Sequence, residues 1–279
     1  MSEPNKPHVS EHEARAVAEG ARETTWEAPS FVRELFLGKL DLGLIHPWPE
    51  PDAEEQQRAE KFLATLERFV REQVDAERIE RDARIPPETI QGLRDIGAFG
   101  IKIPREYGGL ELSQYTYCRA MSLISTVSSP IVALLSAHQS IGVPGPVKMF
   151  GTPEQKKRFL PRLAKGAISA FALTEMEVGS DPARMTTVAM PTADGSGWIL
   201  NGEKLWITNG TVAELMVVMA RTPGKDGKPG PISAFIVEMN WPGVEVTHRP
   251  QLMGLRGIEN GAIRFSNLRG PKQNPLCGE

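Results

Sequence analysis

Two hydrophobic periodicities divide this 279-residue chain. From Asp52 to about Gly166, apolar residues return every three or four positions, the spacing of helices with one buried face. Asp52 is a good N-cap, with Glu54 and Glu55 in the first turn. Ala59, Phe62, Leu63, Leu66, Phe69 and Val70 follow at helical spacing and predict one long amphipathic helix ending near Glu80. Pro86–Gly97 reads as a short helix opened by proline and closed by glycine, and Pro104–Gly109 as a loop. A helix is expected from Ser113 to about Val127, and another from Pro130, disturbed by Pro144 and Pro146. Thr152-Pro-Glu-Gln155 is a capping-box start. Pro161 is expected to kink or split that helix, and Gly166 to close it.

After Gly166 the period shortens. Residues 168–174, 186–190, 197–208, 214–222, 232–238, 244–249 and 261–266 are β-rich runs cut by Gly, Pro, Asn or Asp. Asn201-Gly202 carries a hairpin signal, and Thr222–Gly230 reads as a long exposed connection. Helices first and strands afterwards argue for an α+β chain: an N-terminal all-α helical domain followed by an antiparallel β-sandwich or barrel domain. The boundaries expected are an N-terminal arm over 1–50, a helical domain over 51–167 and a β-domain over 168–279. Residues 1–29 read as a loose polar arm, and the more apolar Ser30–Gly38 as a segment that docks.

Composition removes several functions. The net charge of −3, with no basic stripe, argues against nucleic acid. The two cysteines, Cys118 and Cys277, lie far apart and form no CxxC pair, and the five histidines show no HExxH spacing, so neither a disulfide framework nor a metal motif is read. No apolar run has membrane-span length, and the polar, acidic N-terminus lacks a signal-peptide pattern, so a cytoplasmic protein is expected. No Gly-x-Gly-x-x-Gly follows a strand, which disfavours a Rossmann-type cofactor site.

Two strand exits carry the candidate chemistry. In Phe171-Ala-Leu-Thr-Glu-Met-Glu-Val-Gly-Ser-Asp181 a strand ends at Thr174, and Gly179-Ser180-Asp181 supplies a turn with hydroxyl and backbone donors. Such a set suits a planar heterocycle or a phosphate, and equally a plain capped turn. In Leu200-Asn-Gly-Glu-Lys-Leu-Trp-Ile-Thr-Asn-Gly210, Trp206 and Thr208 stand two apart and are expected on one strand face. An indole beside a hydroxyl can wall a flat ring, or can simply fill a core.

Taken together, these two segments resemble the flavin-holding strands of the acyl-CoA dehydrogenase family. Ser136–Gly142, Phe150–Leu163, Met253–Gly257 and Arg269–Asn274 are similar to further family segments in the same order, and Phe31–Lys39 looks most like the very-long-chain branch. The resemblance implies FAD as cofactor. Phe171, Leu173 and Thr174 would line it, with Thr174 on the pyrimidine edge, Trp206 flanking the ring system and Thr208 near flavin N5. Ser180 would face the coenzyme A moiety and the flavin pyrophosphate. Arg256 matches an arginine used near the family's active site, or is a surface or domain-contact residue. His138 either reaches the acyl pocket or is a packed histidine.

The implied reaction is α,β-dehydrogenation of a long-chain acyl-CoA, with an electron-transfer flavoprotein as electron acceptor and a homo-oligomer as the full-length assembly. The family takes its base from a glutamate in a C-terminal helical domain, which is expected to be absent from this chain, read as a truncated form. No catalytic residue is therefore assigned within this chain, and the chain alone is expected to bind FAD weakly and not to turn over. Met176, where the family usually has proline, and Val178, where alanine is usual, depart from the pattern. Two alternatives remain: an acyl-CoA oxidase, and a non-catalytic binding or assembly module of the same fold.

Overall fold

The computed structural model describes residues 9–20, 29–48, 51–224 and 229–276. Within them, helices fill the first half and strands the second. The helices are α1 (Glu11–Gly20), α2 (Phe31–Phe36), α3 (Ala53–Gln73), α4 (Ala76–Asp82), α5 (Pro87–Asp95), α6 (Gln114–Ser125), α7 (Ser129–Ser136), α8 (Pro144–Phe150) and α9 (Pro153–Ala164). The strands are β1 (Ser169–Ala172), β2 (Val188–Pro191), β3 (Gly197–Ile207), β4 (Leu215–Pro223), β5 (Pro229–Glu238), β6 (Val244–His248) and β7 (Gly261–Pro271).

The caps explain where the helices start. Asp52 accepts the Glu55 N–H at 2.7 Å, and α3 buries the six apolar residues expected from its spacing. The helix stops at Gln73 rather than near Glu80, because Asp75 turns to cap a new helix by accepting the Arg78 N–H at 2.8 Å. Thr152 and Gln155 close a reciprocal capping box. Helix α9 runs unbroken through Pro161, since Phe159, Leu160 and Leu163 are all buried around it and hold the last turn in place.

The strands form one seven-stranded mixed sheet ordered β1-β4-β2-β3-β7-β6, with β5 also on β4. The pairings β2–β3, β3–β7, β4–β5 and β6–β7 are antiparallel, β3 and β7 being brought together across the three strands between them. Strand β1 joins β4 in parallel, with Phe171 opposite Val217; the long excursion through β2 and β3 makes that crossover possible. Alternate residues of β4 serve two cores. Met216, Val218 and Ala220 join the cluster inside the sheet, whereas Leu215 and Val217 pack with Val147, Phe159, Leu160 and Leu163 of α8 and α9.

The hairpin expected at Asn201-Gly202 is not there. Strand β3 continues through it with a bulge between Leu200 and Gly202, and the chain reverses earlier, in the Thr192–Gly197 turn. Gly202 has φ +149° and Thr187 crowds it so closely that a Cβ would lie 2.5 Å from the Thr187 hydroxyl. Glycine here serves close approach, not reversal. The loose-arm reading also changes within 9–20. Ser10 and Glu13 cap α1 reciprocally, and Val9 and Ala14 are buried against Ala183 of the turn Pro182–Arg184. The docking expected for Ser30–Gly38 is not seen among the described residues: α2 buries no side chain. Residues 1–8, 21–28, part of the 222–230 connection and Cys277 lie outside the described residues. Cys118 is a free, exposed thiol.

Candidate functional site

The two glycine-bearing segments meet at the end of β1. The Leu205 N–H donates to the Thr174 carbonyl at 2.8 Å, and the Lys204 ammonium donates to the Leu173 carbonyl at 3.0 Å and to Glu175 Oε1 at 2.9 Å. Lys204 is 1% exposed and Glu175 6%. The Glu175 carboxylate also accepts from the Thr186 N–H and hydroxyl and from the Thr187 N–H, at 2.7–2.9 Å. Burial pushes this carboxyl upward, but the Lys204 ammonium and the threonine donors outweigh it and hold the group below the usual glutamate range. Burial lowers the Lys204 ammonium below its ordinary range, with Glu175 opposing the shift. This buried pair was not visible in the sequence, where its members stand 29 residues apart.

Strand β3 slips register again between Lys204 and Ile207, where three residues advance against two on β7. This second bulge gives Trp206 φ +60°, a strained value for a bulky residue, and turns the indole outward at 55% exposure. Thr208 lies beyond the strand's end, so the expected two-residue alternation between Trp206 and Thr208 is broken by the bulge. Thr174 and Thr208 are half-buried, Ser180 is exposed, and none of their hydroxyls hydrogen-bonds to another described residue. Leu173 is half-buried beside Thr174. Phe171 is half-buried and packs toward the cluster shared with α8 and α9. Gly179 has open space around it, and Asp181 starts the Pro182–Arg184 turn through its carbonyl, without a side-chain cap. Arg221, buried, donates to the carbonyls of Ala183, Met185 and Gly230 and fixes the far side of this loop. Arg256 is exposed in the 251–260 loop and has no ion-pair partner among the described residues.

The donor set fits a flat, polar-edged ring. It offers an outward indole on β3, half-buried threonine hydroxyls with unused hydrogen-bonding capacity after β1 and after β3, and an exposed serine in an open glycine turn; the exit of β1 is locked from behind by the Lys204–Glu175 ion pair. Among the described residues no group of histidine, cysteine or acidic side chains could hold a metal.

Three residues join the strands to the helical half. His138 is fully buried; its Nε2 donates to the Phe99 carbonyl at 3.1 Å, so Nδ1 is left to accept from the Ser169 N–H at 3.2 Å. Burial takes the ring's pKa down to about 4, against the opposing Phe99 bond, and it is neutral at pH 7. His138 is thus a packed residue. Asn209, at φ +66°, donates to the carbonyls of Leu134 and Ser169. Glu259 accepts from Thr211 and from Arg249, which also donates to the Ala83 carbonyl. Nothing in the sequence pattern gave Glu259 a role; Thr211 lies 48 positions away and Arg249 ten.

Residues 55–167 match the acyl-CoA dehydrogenase N-terminal domain, and residues 170–268 the acyl-CoA dehydrogenase middle domain. The chain is 57% identical over 271 residues to a probable acyl-CoA dehydrogenase, FadE10, of Mycobacterium tuberculosis; the match takes in 97% of this chain and 42% of the relative. It is 34% identical over 278 residues to the mitochondrial very long-chain specific acyl-CoA dehydrogenase of Mus musculus, covering 98% and 42%. The chain therefore spans less than half the length of these relatives. An acyl-CoA dehydrogenase from Bacillus anthracis, solved in complex with FAD, superposes with a TM-score of 0.70 at 31% identity, over 82% of this chain and 38% of that one.

Proposed function

Because this chain belongs to the acyl-CoA dehydrogenase family, we propose that its strand exit is the cradle for the FAD of an acyl-CoA dehydrogenase acting on long chains. The observation that carries the reading is the bulge at Trp206, which presents a strained, outward indole beside the Thr174 exit, with unengaged threonine hydroxyls nearby. When bound, FAD supplies the hydride acceptor. Trp206 would cover one face of the ring system. Thr174 and Thr208 would hydrogen-bond its edge, with Leu173 and Phe171 beneath, and Ser180 would meet the pyrophosphate and coenzyme A end. Arg256, exposed and without an ion-pair partner among the described residues, would turn toward an anionic part of the substrate.

The protein's share of the chemistry is to orient the thioester, exclude water and receive the α-proton. Glu175 is unsuited to that last role. Its carboxylate already accepts four hydrogen bonds and sits below the ordinary range, the opposite of a base poised near neutrality. It holds the cradle in shape instead. The α-proton goes to another carboxylate, which the resemblance places in a further helical domain; transfer of electrons to an electron-transfer flavoprotein and homo-oligomer formation belong to the same reading. Anaerobic mixing of the FAD-loaded chain with a long-chain acyl-CoA tests it. We expect bound flavin with no rapid bleaching, whereas rapid bleaching by this chain would place the base within it.

A further inference from the structure

The segment Ser136–Gly142 does more than bury His138. Residues Ala137–Ile141 form a π-helical turn, closed by the Gly142 N–H on the Ala137 carbonyl at 2.8 Å. Such turns are rare and recur where side chains must be re-aimed. Here the turn points His138 inward to Ser169 and places Gln139 and Ser140 along a cleft of about 310 Å³ between the start of α6 and α8. Gln139 fixes one wall: its amide donates to the Ala98 carbonyl at 2.8 Å, and its oxygen accepts the Lys102 N–H at 3.3 Å.

Two ammonium groups share this cleft. Lys102 Nζ rests 4.4 Å from the centre of the Tyr117 ring and donates to Gln114 Oε1 at 3.2 Å. Lys148 Nζ reaches the Lys102 carbonyl at 3.5 Å. Among the described residues every partner is neutral, and no lining residue is a carboxylate. Glu55, on α3, approaches the start of α6 but spends its carboxylate on the Ser113 N–H at 2.6 Å. Elsewhere cations meet acids: Arg119 with Glu60, Arg158 and Arg162 with Glu238, Arg249 with Glu259. In a chain with 35 acidic residues, a cleft holding two lysines and no acid is a departure from that habit. Burial and the neighbouring Lys148 both hold Lys102 below its ordinary pKa, the cost of an unneutralised cation pair.

We propose that this cleft binds the phosphate group of a small molecule, with Lys102 and Lys148 as its counter-charges, Ser140 as a hydroxyl partner and Met149 against the apolar remainder. Two point-charge ammonium groups balance a phosphate dianion, and the volume sits at the small end of ligand pockets. The site lies wholly on the helical half and stands whether or not FAD binds the strand exit.

Calorimetric titration of the full chain with inorganic pyrophosphate and, separately, malonate at fixed ionic strength tests this. One equivalent of pyrophosphate should bind, more tightly than malonate. Affinity should fall about ten-fold or more in Lys102→Gln and in Lys148→Gln, and stay unchanged in the control Lys156→Gln. Lys148 is exposed, so its variant keeps the fold. Absence of saturable binding, equal affinity for malonate, or binding insensitive to Lys148→Gln (as for pyrophosphate held at the strand exit) would each overturn the proposal.

Discussion

Lys204 and Glu175 show how much one pair can carry. Breaking a buried ion pair from one side strands the other charge, so Glu175→Gln should cost about 3–5 kcal/mol, read as a fall in the denaturation midpoint. Replacing both, in Lys204→Met with Glu175→Leu, should cost less than the sum of the single changes. His138 sets a pH dependence. Its folded pKa of about 4 lies below the ordinary value of 6.5, so the unfolded chain binds more protons between those limits and stability rises with pH across them. Acidification from pH 7 to 5 should therefore remove about 2 kcal/mol through this residue, with little further loss from it below pH 4. Chemical denaturation at both pH values checks this, and His138→Gln should flatten the slope. None of these three residues' partners could be read along the chain, because only the tertiary fold brings them near.

At the scale of elements, the helices were legible because their caps are local: Asp52, Ser113 and Thr152 accept the N–H groups expected of them. The strands were less so, for a reason that Gly202 makes plain. A hairpin turn and a bulge both ask for glycine, and only the approach of Thr187 tells them apart. Gly202→Ala should thus destabilise by about 2 kcal/mol or more, measured by thermal melting. The same limit hid the second bulge, so strict alternation was expected at Trp206 where the chain is strained. Trp206→Gly relieves that backbone. We expect stability unchanged or raised by up to about 1 kcal/mol, while FAD affinity falls at least about ten-fold. A joint loss of stability and affinity would instead make Trp206 a core residue.

For the whole molecule, segregation of helices and strands was readable from the change of period, and the ordered motifs pointed to the family that residues 55–167 and 170–268 match. The parallel entry of β1 and the links through His138, Asn209 and Glu259 were not, because they join residues up to 166 positions apart. These links hold the sheet against the helical half. Among the described residues no helix is long and apolar enough to cross a membrane. The central claim, that the exit between Thr174 and Thr208 holds a flavin, is tested most directly by fluorescence titration of the full chain with FAD. The account predicts one saturable equivalent, with affinity reduced in Thr174→Val and in Trp206→Gly. Absence of saturable binding, or affinity indifferent to both changes, would contradict it.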